Sequence, residues 1–134
     1  MARIVHTGDI TQPKTLDVLA RAQAPIVGVY GNNDERMALA AAARRLGVDL
    51  APPPRHFAWA DRRVTVVHDP KEHVGALADG AGVLLHGHEH RLVIERAGGS
   101  RLVFNPGECA GHVPGLNAVG VVDLVTLDVE LLRF

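Results

Sequence analysis

Five short apolar runs in this chain end in residues able to hold an ion. Thr7-Gly8-Asp9 follows RIVH, and Gly31-Asn32-Asn33-Asp34 follows PIVGVY. His68-Asp69-Pro70 follows VTVV, Gly87-His88-Glu89-His90 follows GVLLH, and Asn105-Pro106-Gly107-Glu108 follows LVF. In α/β sheets, ligands bind outside the carboxyl ends of strands. Side by side, these ends bring Asp9, Asn32, His68, His88 and His90 to one spot. A carboxylate, an amide oxygen and imidazoles form a mixed N/O set. Such a set suits Mn, Fe, Zn, Ni or Co better than Ca or Mg alone.

Taken singly, each piece has an ordinary reading. Asp9 after Gly8 can be a solvated turn residue, and GNND is most simply a turn, because Gly and Asn tolerate left-handed backbone. His68 at the end of a buried strand can be a hydrogen-bonded core residue. In GHEH, two His two residues apart share a face if extended. His86 reads as core or as a support behind the site, and His56, His73 and His112 as surface or loop. The joint order decides: five strand-end coincidences are hard to explain as turns.

The elements that must position these residues follow from periodicity. RIVH, residues 3–6, reads as a short strand, and Gln12-Pro13 opens a helix with Leu16, Val18, Leu19 and Ala22 on its apolar face, up to about Ala24. PIVGVY is a second strand. Asp34 is a candidate N-cap for ERMALAAAARRL, which stops at Gly47. This strand–helix alternation argues for a parallel sheet. After Pro52-Pro53-Pro54 the chain turns mostly to strands: a hairpin across HFAWADRRVTVVH turning at Asp61-Arg62, a helix over 71–79, GVLLH, a hairpin over RLVIERAGGSRLVFN, and two strands in the tail. Two facing sheets with helices outside are expected.

Length and composition bound the rest. A chain of 134 residues reads as one domain, 1–134, with a real core. With aromatics at 4%, Val, Leu, Ile and Ala must fill that core. A net charge of −1 gives no nucleic-acid surface. Cys109 is the single cysteine, which excludes an internal disulfide framework and fits a reducing cytoplasm. No run approaches the roughly 18 apolar residues of a membrane span, and the opening residues lack a signal-peptide pattern.

In this order, G-D, G-N-x-D, a His after an apolar strand, G-H-x-H and N-P-G resemble the calcineurin-like metallophosphoesterase superfamily. YGNNDER and NPGECAG resemble its small stand-alone bacterial and archaeal phosphodiesterases, and the similarity runs from Arg3 to Phe134. The resemblance implies an α/β/β/α sandwich of two mixed sheets. It implies Asp9 bridging two metal ions, with Asn32, His68 and His88 completing one site and His90 serving the other. Asn33 would face the phosphate, Asp34 would orient its neighbours, and Asn105-Pro106-Gly107 would buttress the site. The implied activity is metal-dependent phosphoester hydrolysis, of phosphodiesters by a metal-activated hydroxide, on a small substrate.

Elementary chemistry agrees. Two metals about 3.5–4 Å apart can hold a bridging nucleophile and clamp phosphoryl oxygens. Their imidazoles need acceptors to fix the tautomer, and Asp34 and Asp69 are candidates. Asn33 carries no titratable proton and can only donate a hydrogen bond. One departure stands out: family members begin with a strand ending D-x-H and a helix, whereas eight residues precede Asp9 here. The second metal site is therefore incomplete and the first strand–helix unit missing. A start at a wrong or internal Met is favoured over a genuine short form. Asp69 after His68, where relatives carry Gly, adds negative charge. The alternative is a non-catalytic metal-binding or scaffold module, as the same fold serves in retromer. An unfilled sheet edge would favour a homo-oligomer.

Overall fold

The structure, a computed structural model, describes residues 2–73, 75, 82–97, 100–109, 111 and 114–134. The chain first lays down three parallel strands, β1 (Ile4–His6), β2 (Ile26–Val29) and β3 (Asp49–Ala51), joined through helices α1 (Pro13–Ala20) and α2 (Arg36–Leu46). Parallel neighbours need a crossover, and each helix supplies one. Ile4 lies opposite Ile26, and Val27 opposite Asp49.

Proline opens α1 because the first helical turn needs no N–H there. The helix stops at Ala20, short of the expected Ala24, because Gln23 turns to positive φ. Leu16 is buried, but Val18 is 59% exposed and leaves the apolar face assigned to it. Leu39, Ala42 and Ala43 form the buried stripe of α2, which ends at left-handed Gly47, as expected. Asp34 does not cap this helix. Glu35 occupies that position without a side-chain bond, and Asp34 is used elsewhere.

The second sheet has the order β4 (Arg55–Trp59), β5 (Arg62–Val66), β6 (Gly82–Leu85), β8 (Arg101–Pro106), β7 (Leu92–Ala97). Strands β5, β6 and β8 run parallel, and β4 and β7 are antiparallel edges. The β4–β5 hairpin turns at Ala60-Asp61, one residue earlier than expected, with both residues at positive φ. That geometry matches the twist of the flanking strands. The expected helix over 71–79 is a single 3-10 turn, Pro70–His73, in the described residues. Residues 74 and 76–79 lie outside them.

Alternation along the strands builds two apolar layers. Ile4, Ile26 and Tyr30 pack against Leu16, Leu39 and Ala43 of the helices. Val5 and Val29 face the second sheet, where Val64, Val66, Val83, Leu102 and Phe104 meet them. The tail forms a third, two-stranded sheet of β9 (Ala118–Val122) and β10 (Val129–Arg133). It joins the same layer through Val122, Leu124, Leu127, Val129 and Leu131. Two guanidinium groups hold its turn: Arg62 donates to Leu124 O at 2.5 Å and Val125 O at 3.0 Å, and Arg96 donates to Leu127 O at 2.6 Å. Two main sheets with helices on the outer side of the first are thus as expected. The short β3 and the separation of the tail sheet were not legible in the sequence.

Candidate metal centre

Parallel strands end on the same side, so β1 and β2 in one sheet, and β5, β6 and β8 in the other, deliver their following loops to one edge. Backbone bonds tie these loops together. Gly87 N donates to His68 O at 3.1 Å, and Asn105 Nδ2 donates to Gly87 O at 3.3 Å. Asn105 is 1% exposed, and its Oδ1 accepts Gly107 N at 3.0 Å. Its amide braces one loop on another, the buttress expected of N-P-G.

Asp9, His68 and His88 come together, with one ligand atom from each within 4.8 Å of the others. Asn32 joins them through Oδ1, 2.8 Å from His68 Nε2. His68 Nδ1 lies 2.8 Å from the carbonyl oxygen of Thr7. A carbonyl only accepts, so Nδ1 carries the hydrogen. Nε2 of the neutral ring then offers a bare lone pair. It faces Asn32 Oδ1, Asp9 Oδ2 at 3.4 Å and His88 Nδ1 at 3.2 Å. His88 Nε2 points to Asp69 Oδ2 at 3.6 Å. Asp69, a candidate imidazole acceptor, thus lies beside His88 but beyond hydrogen-bond distance.

Asp34 plays a different part from the imidazole acceptor expected. Its Oδ2 accepts Asp9 N at 3.0 Å and Gly31 N at 2.7 Å, and its Oδ1 accepts Thr11 N at 2.7 Å. Asp9 and Thr11 both sit at positive φ, a cost that these bonds offset. Gly31 has no room for a side chain: a Cβ there would run into the Asp9 carboxylate and its N–H. Asn33 holds Asp9 in turn, its N–H donating to Oδ1 at 2.9 Å and its Nδ2 to Oδ2 at 3.1 Å.

His90 stands apart from this group. Its Nδ1 lies 3.6 Å from Glu108 Oε2, and the ring is exposed. The sequence reading passed over Glu108, though it closes the same N-P-G-E stretch. It also passed over Thr7 O, a backbone atom with no sequence signal. His86 is buried, as expected, with Nδ1 donating to Gly87 O at 3.1 Å. His56 pairs with Thr65 Oγ1 at 3.0 Å, His73 lies in the 3-10 turn, and His112 is outside the described residues. His6, read as a plain strand residue, accepts Gly8 N at Nδ1 over 3.2 Å; burial lowers its pKa against the opposing pull of Asp34 and Asp9.

The donor set fits a divalent cation. A carboxylate oxygen, an amide oxygen and two imidazole nitrogens point lone pairs at one another, an arrangement that a cation between them relieves. Such a donor set at the ends of parallel strands could hold an ion for metal-assisted chemistry.

Comparison with known proteins agrees. The model of the calcineurin-like phosphoesterase superfamily domain matches residues 1–127. Phosphodiesterase MJ0936 of Methanocaldococcus jannaschii is 28% identical over 125 residues, covering 90% of this chain and 75% of that protein. A solved archaeal phosphodiesterase superposes with a TM-score of 0.85 at 24% identity, over all of this chain and 84% of that one. A Vps29 mutant from Entamoeba histolytica shares the fold more loosely, with a TM-score of 0.61 at 18% identity, over all of this chain and 83% of that one. The chain belongs to the calcineurin-like phosphoesterase superfamily.

Proposed function

We propose that this chain hydrolyses small phosphodiesters with one divalent ion held by Asp9, Asn32, His68 and His88. Manganese is the first choice, with nickel, iron, zinc and cobalt as alternatives. The observation that carries the reading is the convergence of lone pairs on His68 Nε2. A bound ion supplies Lewis-acid polarisation of a phosphoryl oxygen and a water of lowered pKa.

The chain's own residues do the rest. Asp9 brings the negative charge, and Asn33 and Asp34 fix its orientation. Asn33 Nδ2 can turn from Asp9 to a phosphoryl oxygen, donating a hydrogen bond but no titratable proton. His90, two residues beyond His88 and exposed, is the group that meets the substrate from the open side. Among the described residues the candidate ligand group is Asp9, His68 and His88 without His90, which supports one resident ion over two. The similarity to phosphodiesterase MJ0936 supports a diester as the substrate class. The exposed thiol of Cys109 supports a reducing compartment, the cytoplasm. Among the described residues no strand pairs with the outer edge of β1, which supports self-association, and light scattering reads this directly.

The test is hydrolysis of a chromogenic phosphodiester with added manganese, alongside metal analysis. Near one ion per chain is expected, with activity abolished in Asp9→Ala and His88→Ala. Full activity in both variants would sink the reading. A metal-free protein without activity that binds a partner would favour the scaffold reading instead.

A further inference from the structure

We infer that the outer face of the helix layer docks on anionic phospholipid membranes, with Lys14, Arg21 and Arg44 meeting headgroup phosphates and Val18 and Met37 meeting the apolar boundary beneath them. The inference is independent of the chemistry proposed above. Charge in this chain is segregated. Residues 13–21 and 36–46 carry Lys14, Arg21, Arg36, Arg44 and Arg45 against one carboxylate, Asp17, although the net charge of the whole chain is −1. The remaining residues are therefore acidic on balance. Asp17 is taken up by Arg45 at 3.1 Å, a pair that joins α1 to α2. Glu35, at the N-cap of α2, is the next acid in the sequence, and Arg36 lies over the Tyr30 ring at 5.2 Å. Lys14, Arg21 and Arg44 are exposed, and among the described residues they pair with no carboxylate.

Helical spacing puts these cations on one face with apolar groups. Leu16 marks the inward side of α1, and Leu39, Ala42 and Ala43 mark that of α2. Opposite Leu16 stand Lys14, Val18 and Arg21, at i, i+4 and i+7. Met37, Ala41 and Arg44 repeat that spacing opposite Leu39. Val18 is 59% exposed and Met37 is 90% exposed. Cations flanking exposed apolar side chains complement a surface that offers anionic phosphates over an apolar layer. A nucleic-acid backbone offers the phosphates without that layer and leaves Val18 and Met37 unused. A second copy related by a two-fold axis would set this face against its own like charges.

The test is co-sedimentation of the full chain with vesicles of phosphatidylglycerol mixed with phosphatidylcholine, and with vesicles of phosphatidylcholine alone. Binding is expected to the mixed vesicles only, and it should weaken as salt is raised. Lys14→Gln, Arg21→Gln and Arg44→Gln together should weaken it about 100-fold, or about fivefold per charge. Val18→Ser with Met37→Ser should weaken it about 5–10-fold. Arg133→Gln, exposed on β10, should leave it unchanged. If the triple variant does not fold, Arg44→Gln and Met37→Ser carry the test singly, since both side chains are exposed. No binding to the mixed vesicles, or equal binding in the charge variants, would overturn the inference. Binding that ignores the loss of Val18 and Met37, or capture by double-stranded DNA in place of vesicles, would overturn the lipid assignment.

Discussion

The carboxylate of Asp34 accepts the backbone N–H of Asp9 at 3.0 Å, so one acid of the site sets the backbone of the other. The same Asp34 accepts Gly31 N and Thr11 N. It thereby ties the loop after β1 to the loop after β2. Replacing Asp34 with Ala leaves three N–H groups without their acceptor. Hydrogen bonds to charged groups contribute about 1.5–3 kcal/mol each, but these are partly exposed and share one carboxylate. A net loss of about 2–4 kcal/mol is expected by urea denaturation. Asp34→Asn keeps one acceptor oxygen and should lose less.

Gly31 is the tightest point of the site. Gly31→Ala would drive a methyl into the Asp9 carboxylate. Overpacking of this kind costs about 1–3 kcal/mol. Metal affinity should fall with it, because the group displaced is a proposed ligand. A calorimetric metal titration beside a thermal melt reads both.

Asp69 and His88 should differ in degree. Asp69→Ala removes the carboxylate behind His88, and outer partners of this kind are worth about 10–100-fold in metal affinity. His88→Ala removes the proposed ligand itself and should cost more. Equal losses in the two variants would contradict the assignment of His88 to the ion.

Bound metal should stabilise the fold. At 100 times its dissociation constant, an ion that binds the folded state alone adds about 2.7 kcal/mol. Melting with manganese and then with a chelator should show the gain and its reversal. Asp9→Ala should show neither.

His6 gives the pH dependence a direction. Burial holds its pKa below 6.5, so between the lowered value and 6.5 the unfolded chain binds more protons than the folded one. Stability therefore rises with pH through that window and is lost as pH falls below about 6.5. His6→Asn keeps an acceptor for Gly8 N–H but does not titrate. Between about pH 7 and pH 5, wild type should lose more stability than this variant, with urea denaturation at each pH as the measurement.

The sequence made the strands legible wherever an apolar run met a turn residue, and the site legible wherever that turn residue could bind a metal. Asp9, Asn32, His68 and His88 meet as their strand-end positions suggest. The missed parts have physical causes. Strand β3 is three residues, Asp49–Ala51, between Gly47 and Pro52, too short for alternation to register. Asp34 looked like a helix cap because capping and loop-tying draw on the same residue type. Its three partners are all backbone N–H groups with no signature of their own, and two of them lie 23 and 25 positions away in the chain. Of the helix expected over 71–79, the described residues show only the 3-10 turn Pro70–His73.

The tail hairpin shares no ladder with either main sheet among the described residues; apolar packing and the two arginines hold it. It is thus the part of the molecule best able to peel away as a unit. Its amides should exchange with deuterium ahead of those of β5, β6 and β8. Because Ala118 N is bonded to Glu108 O, peeling would also slacken the loop beside His90. The last strands of the chain are, mechanically, a handle on the rim of its candidate metal centre.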